Sequence, residues 1–297
     1  MIFTTFFVVL QSFAIASGAQ YVLSRHELSS FLTVNFAGGM GLTFGIYWAG
    51  GASGASLNPA VTLAFCLHGI LEWWQYAHYA VAEMLGAFVA AAVQFGVFYD
   101  GINAYDGGTR ATHGENATAG IFATFPNENV STLNCYFDQV FGTFILISCI
   151  LAVTDNRNMK PHKGLMPLAL GGIVFAIGTC WAYNCGYAIN PARDLGPRIF
   201  TAIAGWGVEP FSYRDYNWFW VPIVGPMSGA IVAWIVYNIF INLHWPDDEE
   251  EAELNQVLSV SPPGEKSENG DIKTGVVNPA YTGDQSLSIN SDQKTKL

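Results

Sequence analysis

Five stretches of this chain contain no Asp, Glu, Lys or Arg: Met1–Ser24, Leu28–Leu71, Gln139–Thr154, Gly164–Ala192 and Tyr216–Pro246. A helix crossing the hydrocarbon of a bilayer needs about 20 mostly apolar residues, and a charge at that depth is costly, so uncharged runs of this length read as membrane spans. Only 12% of the residues are charged, against about 25% in an ordinary soluble domain, and a soluble globule does not fit. Much of the net charge of −11 sits in Asp247, Asp248, Glu249, Glu250, Glu251 and Glu253, after the last apolar run. That acidity describes a tail and offers nothing to a nucleic acid.

Measured against bilayer thickness, the apolar runs give six full spans, near residues 3–22, 30–49, 74–97, 138–153, 165–184 and 218–241. Two further segments, 59–67 and 191–202, reach only about half a membrane at 1.5 Å per residue. The expected fold class is an all-α membrane protein of six transmembrane helices plus two half-membrane helices. Met1–Gly18 contains Ala14-Ile15-Ala16, similar to a signal-peptidase site, but lacks the basic leader such a signal needs and is kept as the first span. Residues 1–245 form the expected membrane domain. Residues 246–297, rich in Ser, Gly, Asn, Asp and Glu, form an expected disordered acidic cytoplasmic tail.

The chain repeats itself. Ser-Gly-Ala-Ser-Leu-Asn-Pro-Ala-Val (Ser53–Val61) follows the second span and Cys-Gly-Tyr-Ala-Ile-Asn-Pro-Ala-Arg (Cys185–Arg193) follows the fifth, with their asparagines, 58 and 190, 132 residues apart. Repeat one covers about 1–99 and repeat two about 138–245. Three spans per half is an odd number, so the second half enters the membrane from the opposite side. Short interrupted segments at matching places in two inverted halves point to a site at the midplane.

Arg157, Lys160 and Lys163 lie in the short linker between the fourth and fifth spans, which the positive-inside rule assigns to the cytoplasm along with both termini. The segment Asp100–Phe137 is then outside. It carries two glycosylation acceptor patterns, at Asn116 and Asn129, of which one is expected to be used. Trp73, Trp74 and Trp245 fall at inner span ends and Trp218 and Trp220 at an outer end, as aromatic belts require. Five cysteines are too few and scattered for a disulfide scaffold or a metal site. Cys66, Cys149, Cys180 and Cys185 read as packing residues, and Cys135 as an unassigned loop residue.

In Asn58-Pro59-Ala60 and Asn190-Pro191-Ala192 the asparagine is a good helix N-cap and the proline suits the first turn. Each triplet therefore starts a short helix. Two such helices beginning at the midplane aim the positive ends of their dipoles at one spot and repel cations there, protons included. A third copy, Asn278-Pro279-Ala280, lies in the polar tail and serves as a control: one copy alone means little. With Tyr281 it resembles a short endocytic or adaptor-binding motif.

Two such boxes among six spans and two half-spans resemble the aquaporin (major intrinsic protein) superfamily over about residues 1–245. The continuation of the second box, with Asp194 directly after Arg193, is similar to the aquaglyceroporin branch. The resemblance implies a homotetramer in the plasma membrane passing water, glycerol and other small neutral solutes, with no cofactor or metal. Carried over by spacing from the two asparagines, it places a narrow filter at Gly38, Gly178, Tyr187 and Arg193. The chemistry is coherent. Arg193 offers a fixed fork of donors to hydroxyl oxygens and repels cations, Tyr187 offers an apolar face to the carbon side of a polyol, and the two glycines widen the passage.

This chain departs from the family pattern in four places. Glycerol channels of the family usually carry an aromatic residue at the position of Gly38; many members carry histidine at the position of Ser56; the first span starts at Met1, where the family normally has further residues and a buried glutamate, so that either this glutamate is dispensable or the N-terminus is incomplete; and glutamine is more usual where Glu83 stands. Glu83 is expected to be a hydrogen-bonded helix contact more than a proton site. A secondary transporter also uses inverted repeats, but needs coupling-ion carboxylates, and Glu83 is nearly alone. No paired carboxylates, nucleophile triad or metal cluster appears at membrane depth for an enzyme, and the filter glycines argue against a closed junction protein.

Overall fold

The computed structural model describes residues 2–246, and Met1–Trp245 form one compact unit. The tail and its Asn278–Tyr281 motif lie outside the described residues. Ten α-helices follow in order among the described residues: α1 (Ile2–Leu23), α2 (Phe31–Ser53), α3 (Pro59–Leu67), α4 (Trp73–Val97), α5 (Tyr99–Asp106), α6 (Thr132–Thr154), α7 (Met166–Trp181), α8 (Pro191–Thr201), α9 (Glu209–Ser212) and α10 (Val221–Phe240). Six are long, and α3 and α8, of 9 and 11 residues, are the two half-helices.

Local chemistry explains the boundaries that composition missed. α2 runs past the expected residue 49 because Gly54 ends it, in the left-handed conformation (φ 74°). α6 begins at Thr132, six residues before the expected 138, because Ser131 caps it by accepting from the Asn134 amide at 3.2 Å. Cys135 therefore lies in a helix and not in a loop. α7 stops at Trp181, short of the expected 184, where the Gly186 amide turns back to the Ala182 carbonyl at 2.9 Å.

The helices are inside-out relative to those of a soluble protein. In α4, Val81, Leu85, Val89 and Val93 are exposed at four-residue spacing, while Glu83, Gly86, Ala87, Ala90 and Ala91 are buried. Trp73–Val97, Thr132–Thr154 and Val221–His244 are each long and apolar enough to cross a bilayer. Because lipid tails are as apolar as the side chains, helices associate through close packing of small residues. An added Cβ on Gly39 would stand 2.6 Å from the Gly171 carbonyl of α7, and one on Gly196 of α8 would stand 2.8 Å from the Met84 carbonyl of α4. Neither position admits another residue without parting two helices. α3 and α8 each pack against both α4 and α10, which brings the two half-helices together between the repeats.

Candidate functional site: the meeting of two half-helices

Asn58 and Asn190 cap α3 and α8 as their sequence predicts. The Asn58 side-chain oxygen accepts from the Ala60 amide at 2.9 Å, and that of Asn190 accepts from the Ala192 and Arg193 amides at 3.1 and 3.2 Å, with Pro59 and Pro191 in the first turns. The other half of each carboxamide crosses to the opposite repeat. Asn58 Nδ2 donates to the Ile189 carbonyl at 2.9 Å and Asn190 Nδ2 to the Leu57 carbonyl at 2.8 Å. A carboxamide has two N–H donors, so one on each asparagine is left for the cavity that both residues line.

The segments leading into the caps are equally matched. Gly54, Ala55 and Leu57 have φ of 74°, 49° and 49°; Gly186, Tyr187 and Ile189, each 132 positions later, have 75°, 40° and 38°. Non-glycine residues avoid this left-handed region, and two in three positions persist only when the surroundings fix them. Those surroundings include one long helix in each repeat. Glu83 of α4 accepts on one carboxylate oxygen from the Ser56 hydroxyl (2.8 Å), the Asn58 amide (2.9 Å) and the Thr62 hydroxyl (3.1 Å). Gln139 of α6 accepts from the Ile189 amide at 2.8 Å. Glu83 is thus a hydrogen-bonded contact, made to the loop and first turn of the half-helix.

A cavity of about 630 Å³ passes the two caps and is lined by Gly38, Tyr187 and Arg193 as well as the asparagines. Its lining extends to Tyr47, His162 and Lys163, beside the linker that carries the basic residues. Arg193 is held twice: its guanidinium donates to the Phe122 carbonyl at 3.2 Å, and its own carbonyl accepts from Gln11 at 3.1 Å. The two glycines take different positions. A Cβ on Gly38 would meet only the Tyr187 hydroxyl, at 3.6 Å, whereas one on Gly178 would stand 2.7 Å from Tyr187 Cζ and 2.7 Å from Asn35 Oδ1. Gly38 leaves the wall open, and Gly178 seats the phenol ring.

Asp194 is fully buried and turned to a partner one helical turn on. Its carboxylate receives Arg198 Nε at 2.8 Å and the Thr124 amide at 2.8 Å. Arg198, itself 0% exposed, also donates to the carbonyls of Thr124 and Pro210. The pair ties α8 to the 119–126 segment that supplies Phe122 to Arg193. Sequence reasoning overlooked Arg198, although a second arginine four residues after Asp194 was the available signal.

Comparison with known proteins decides the family. The family model described as Major intrinsic protein matches residues 1–237. This chain belongs to the major intrinsic protein family. Human aquaporin-9 is 43% identical over 238 residues, covering 80% of each chain, and human aquaporin-10 is 42% identical over 235 residues, covering 79% of this chain and 78% of that one. The solved aquaglyceroporin of Plasmodium falciparum superposes with a TM-score of 0.73 at 27% identity, over 81% of this chain and 94% of that one. The aquaporin fold and a place among the aquaglyceroporins follow for this membrane protein.

Proposed function

We propose that the chain is a passive transmembrane channel for water, glycerol and other small uncharged solutes that excludes ions and protons. The observation that carries this reading is the convergence of both asparagine caps, Tyr187 and Arg193 on one cavity. A water or hydroxyl oxygen at the caps accepts from the free N–H groups of Asn58 and Asn190, which orients its own hydrogens away from them and interrupts a proton wire. The facing N-termini of α3 and α8 add a positive field that repels cations. Arg193, Tyr187, Gly38 and Gly178 form the selective constriction, with the arginine facing hydroxyl oxygens and the ring facing carbon. Gly38, where the family usually places an aromatic, makes the opening wide for its class.

The domain is expected to assemble as a homotetramer in the plasma membrane, with both termini and the 155–165 linker in the cytoplasm. Of the two acceptor sites, Asn129 is the better candidate: it and Ser131 are exposed, whereas Thr118, which completes the Asn116 site, is buried against Asp106. Stopped-flow light scattering on proteoliposomes tests the channel directly. Fast glycerol flux that Gly38→Trp suppresses more than water flux supports the reading, and a wild-type protein that passes water but excludes glycerol refutes the solute assignment. Arg193→Ala is expected to relax selectivity and admit protons.

A further inference from the structure

Cys135 and Cys185 are 50 positions apart and meet at one end of the bundle. Both are buried, at 0% and 1% exposure, in one cluster with Trp218 and Val221. Cys135 Sγ donates to the Asn184 carbonyl at 3.6 Å, Cys185 Sγ lies 3.8 Å from the Cys135 carbonyl and 3.3 Å from Asp138 Oδ2, and both residues are thiols in the structure. The other three cysteines are Cys66, which contacts the Glu72 carbonyl, Cys149 and the exposed Cys180. We propose that Cys135 and Cys185 form a disulfide that fastens the segment leading into the second half-helix to α6.

The position gives the bond a purpose. Residues 186–189 carry the left-handed conformations of Gly186, Tyr187 and Ile189, and Tyr187 lines the cavity. Gln139 of α6 holds this segment from both sides, accepting from the Ile189 amide at 2.8 Å and donating to Cys185 Sγ at 3.1 Å. A covalent bond at Cys185 fixes the chain two residues before Tyr187, and the Gln139–Ile189 bond fixes it two residues after. Strained backbone persists when it is over-determined, and the first repeat achieves the same end with the triple contact of Glu83.

Compartment and chemistry agree. The pair lies beside the 127–131 segment, whose Asn127 amide donates to the Asn184 carbonyl, on the side that the proposed orientation, on which this inference rests, puts outside the cell and therefore in the secretory lumen during synthesis. Disulfides form and persist there. Each thiol loses its proton, the pair gives up two electrons as the S–S bond forms, and the acceptor is the disulfide of a luminal thiol oxidoreductase, which opens to two thiols and takes up both protons. Burial of both sulfurs places this reaction during folding and keeps reductant from the finished bond.

The test uses the full chain expressed in a eukaryotic secretory host. It is unfolded without reductant in N-ethylmaleimide, then reduced, labelled with iodoacetamide and digested for mass spectrometry. The expected result is the second label on Cys135 and Cys185 and the first on Cys66, Cys149 and Cys180. In Cys135→Ser, Cys185 should take the first label. N-ethylmaleimide on both cysteines of the wild type, or a Cys185 that stays protected in Cys135→Ser, overturns the proposal. Glycosidase treatment of the same sample reads the orientation separately, so free thiols on a glycosylated chain sink the disulfide and leave the orientation standing.

Discussion

Asn58 and Asn190 each donate to the carbonyl of the residue that precedes the other, at 2.9 Å to Ile189 and 2.8 Å to Leu57. The two half-helices are therefore held end to end by the residues that cap them, and neither cap is correctly placed without its opposite number. Replacing Asn190 by Ala removes an N-cap, at about 1 kcal/mol, and orphans the buried Leu57 carbonyl, at about 1–3 kcal/mol. Asn190→Ala should lower the thermal midpoint of the detergent-purified protein and reduce water permeability severalfold. Asn190→Asp keeps the cap acceptor and loses the crossing donor, so its midpoint should fall between the two. Equal midpoints for wild type and Ala would show that the crossing bonds contribute nothing.

Tyr187 and the two glycines beside it give the constriction a testable asymmetry. Gly38→Ala adds a methyl group whose nearest neighbour outside its own helix is 3.6 Å away, whereas Gly178→Ala drives one to 2.7 Å from the Tyr187 ring. Overpacking of that kind costs about 1–3 kcal/mol unless the ring moves, and the space into which it can move is the cavity. Gly178→Ala should therefore slow glycerol more than water in the proteoliposome assay, while Gly38→Ala changes the ratio little. A larger effect at Gly38 than at Gly178 would reverse the assignment of the two roles.

The Asp194–Arg198 pair is enclosed, with side-chain exposures of 1% and 0%. Removing one partner of a buried pair leaves an uncompensated charge and costs about 3–5 kcal/mol. Arg198→Met and Asp194→Asn should each lose most folded protein in size-exclusion profiles, with the double substitution recovering part of it. Because the pair supports the segment that supplies the Phe122 carbonyl to Arg193, surviving single variants should also pass solutes less selectively. Full stability of Arg198→Met would remove the pair from the architecture of the site.

Much of this arrangement was legible in the letters because it is repetitive. The two Asn-Pro-Ala boxes, their spacing and the span count require only local preferences and the bilayer thickness, and the structure starts α3 at Pro59 and α8 at Pro191 as the triplets dictate. What was not legible depends on pairs distant in sequence. Cys135 meets Cys185 and Glu83 meets Asn58 only once the helices of each repeat have packed, and Arg198 was masked by the more conspicuous Arg193 five residues earlier. Gly178 illustrates the same limit: the family resemblance implies a filter position there, and only the placed ring of Tyr187 shows what the missing side chain makes room for.

At the linker end of the bundle, Asp155 follows the last residue of α6 and joins it to α10, accepting from the Tyr237 hydroxyl at 3.0 Å and from Arg157 at 3.2 Å. Burial alone would raise this carboxyl, but the hydrogen bonds from the Arg157 side chain and backbone and from Tyr237 outweigh it and hold it below the ordinary carboxylate value. A group whose folded value is depressed adds stability above its unfolded value, about 3.9 for Asp, and loses it as pH falls through the folded one. The contribution of Asp155 should thus be complete at pH 7 and decline below about pH 4. Thermal midpoints at pH 7, 5 and 3.5 check it: wild type should lose more between the last two than Asp155→Asn, which has no carboxylate to neutralise. Parallel curves for the two proteins would mean that acid acts elsewhere.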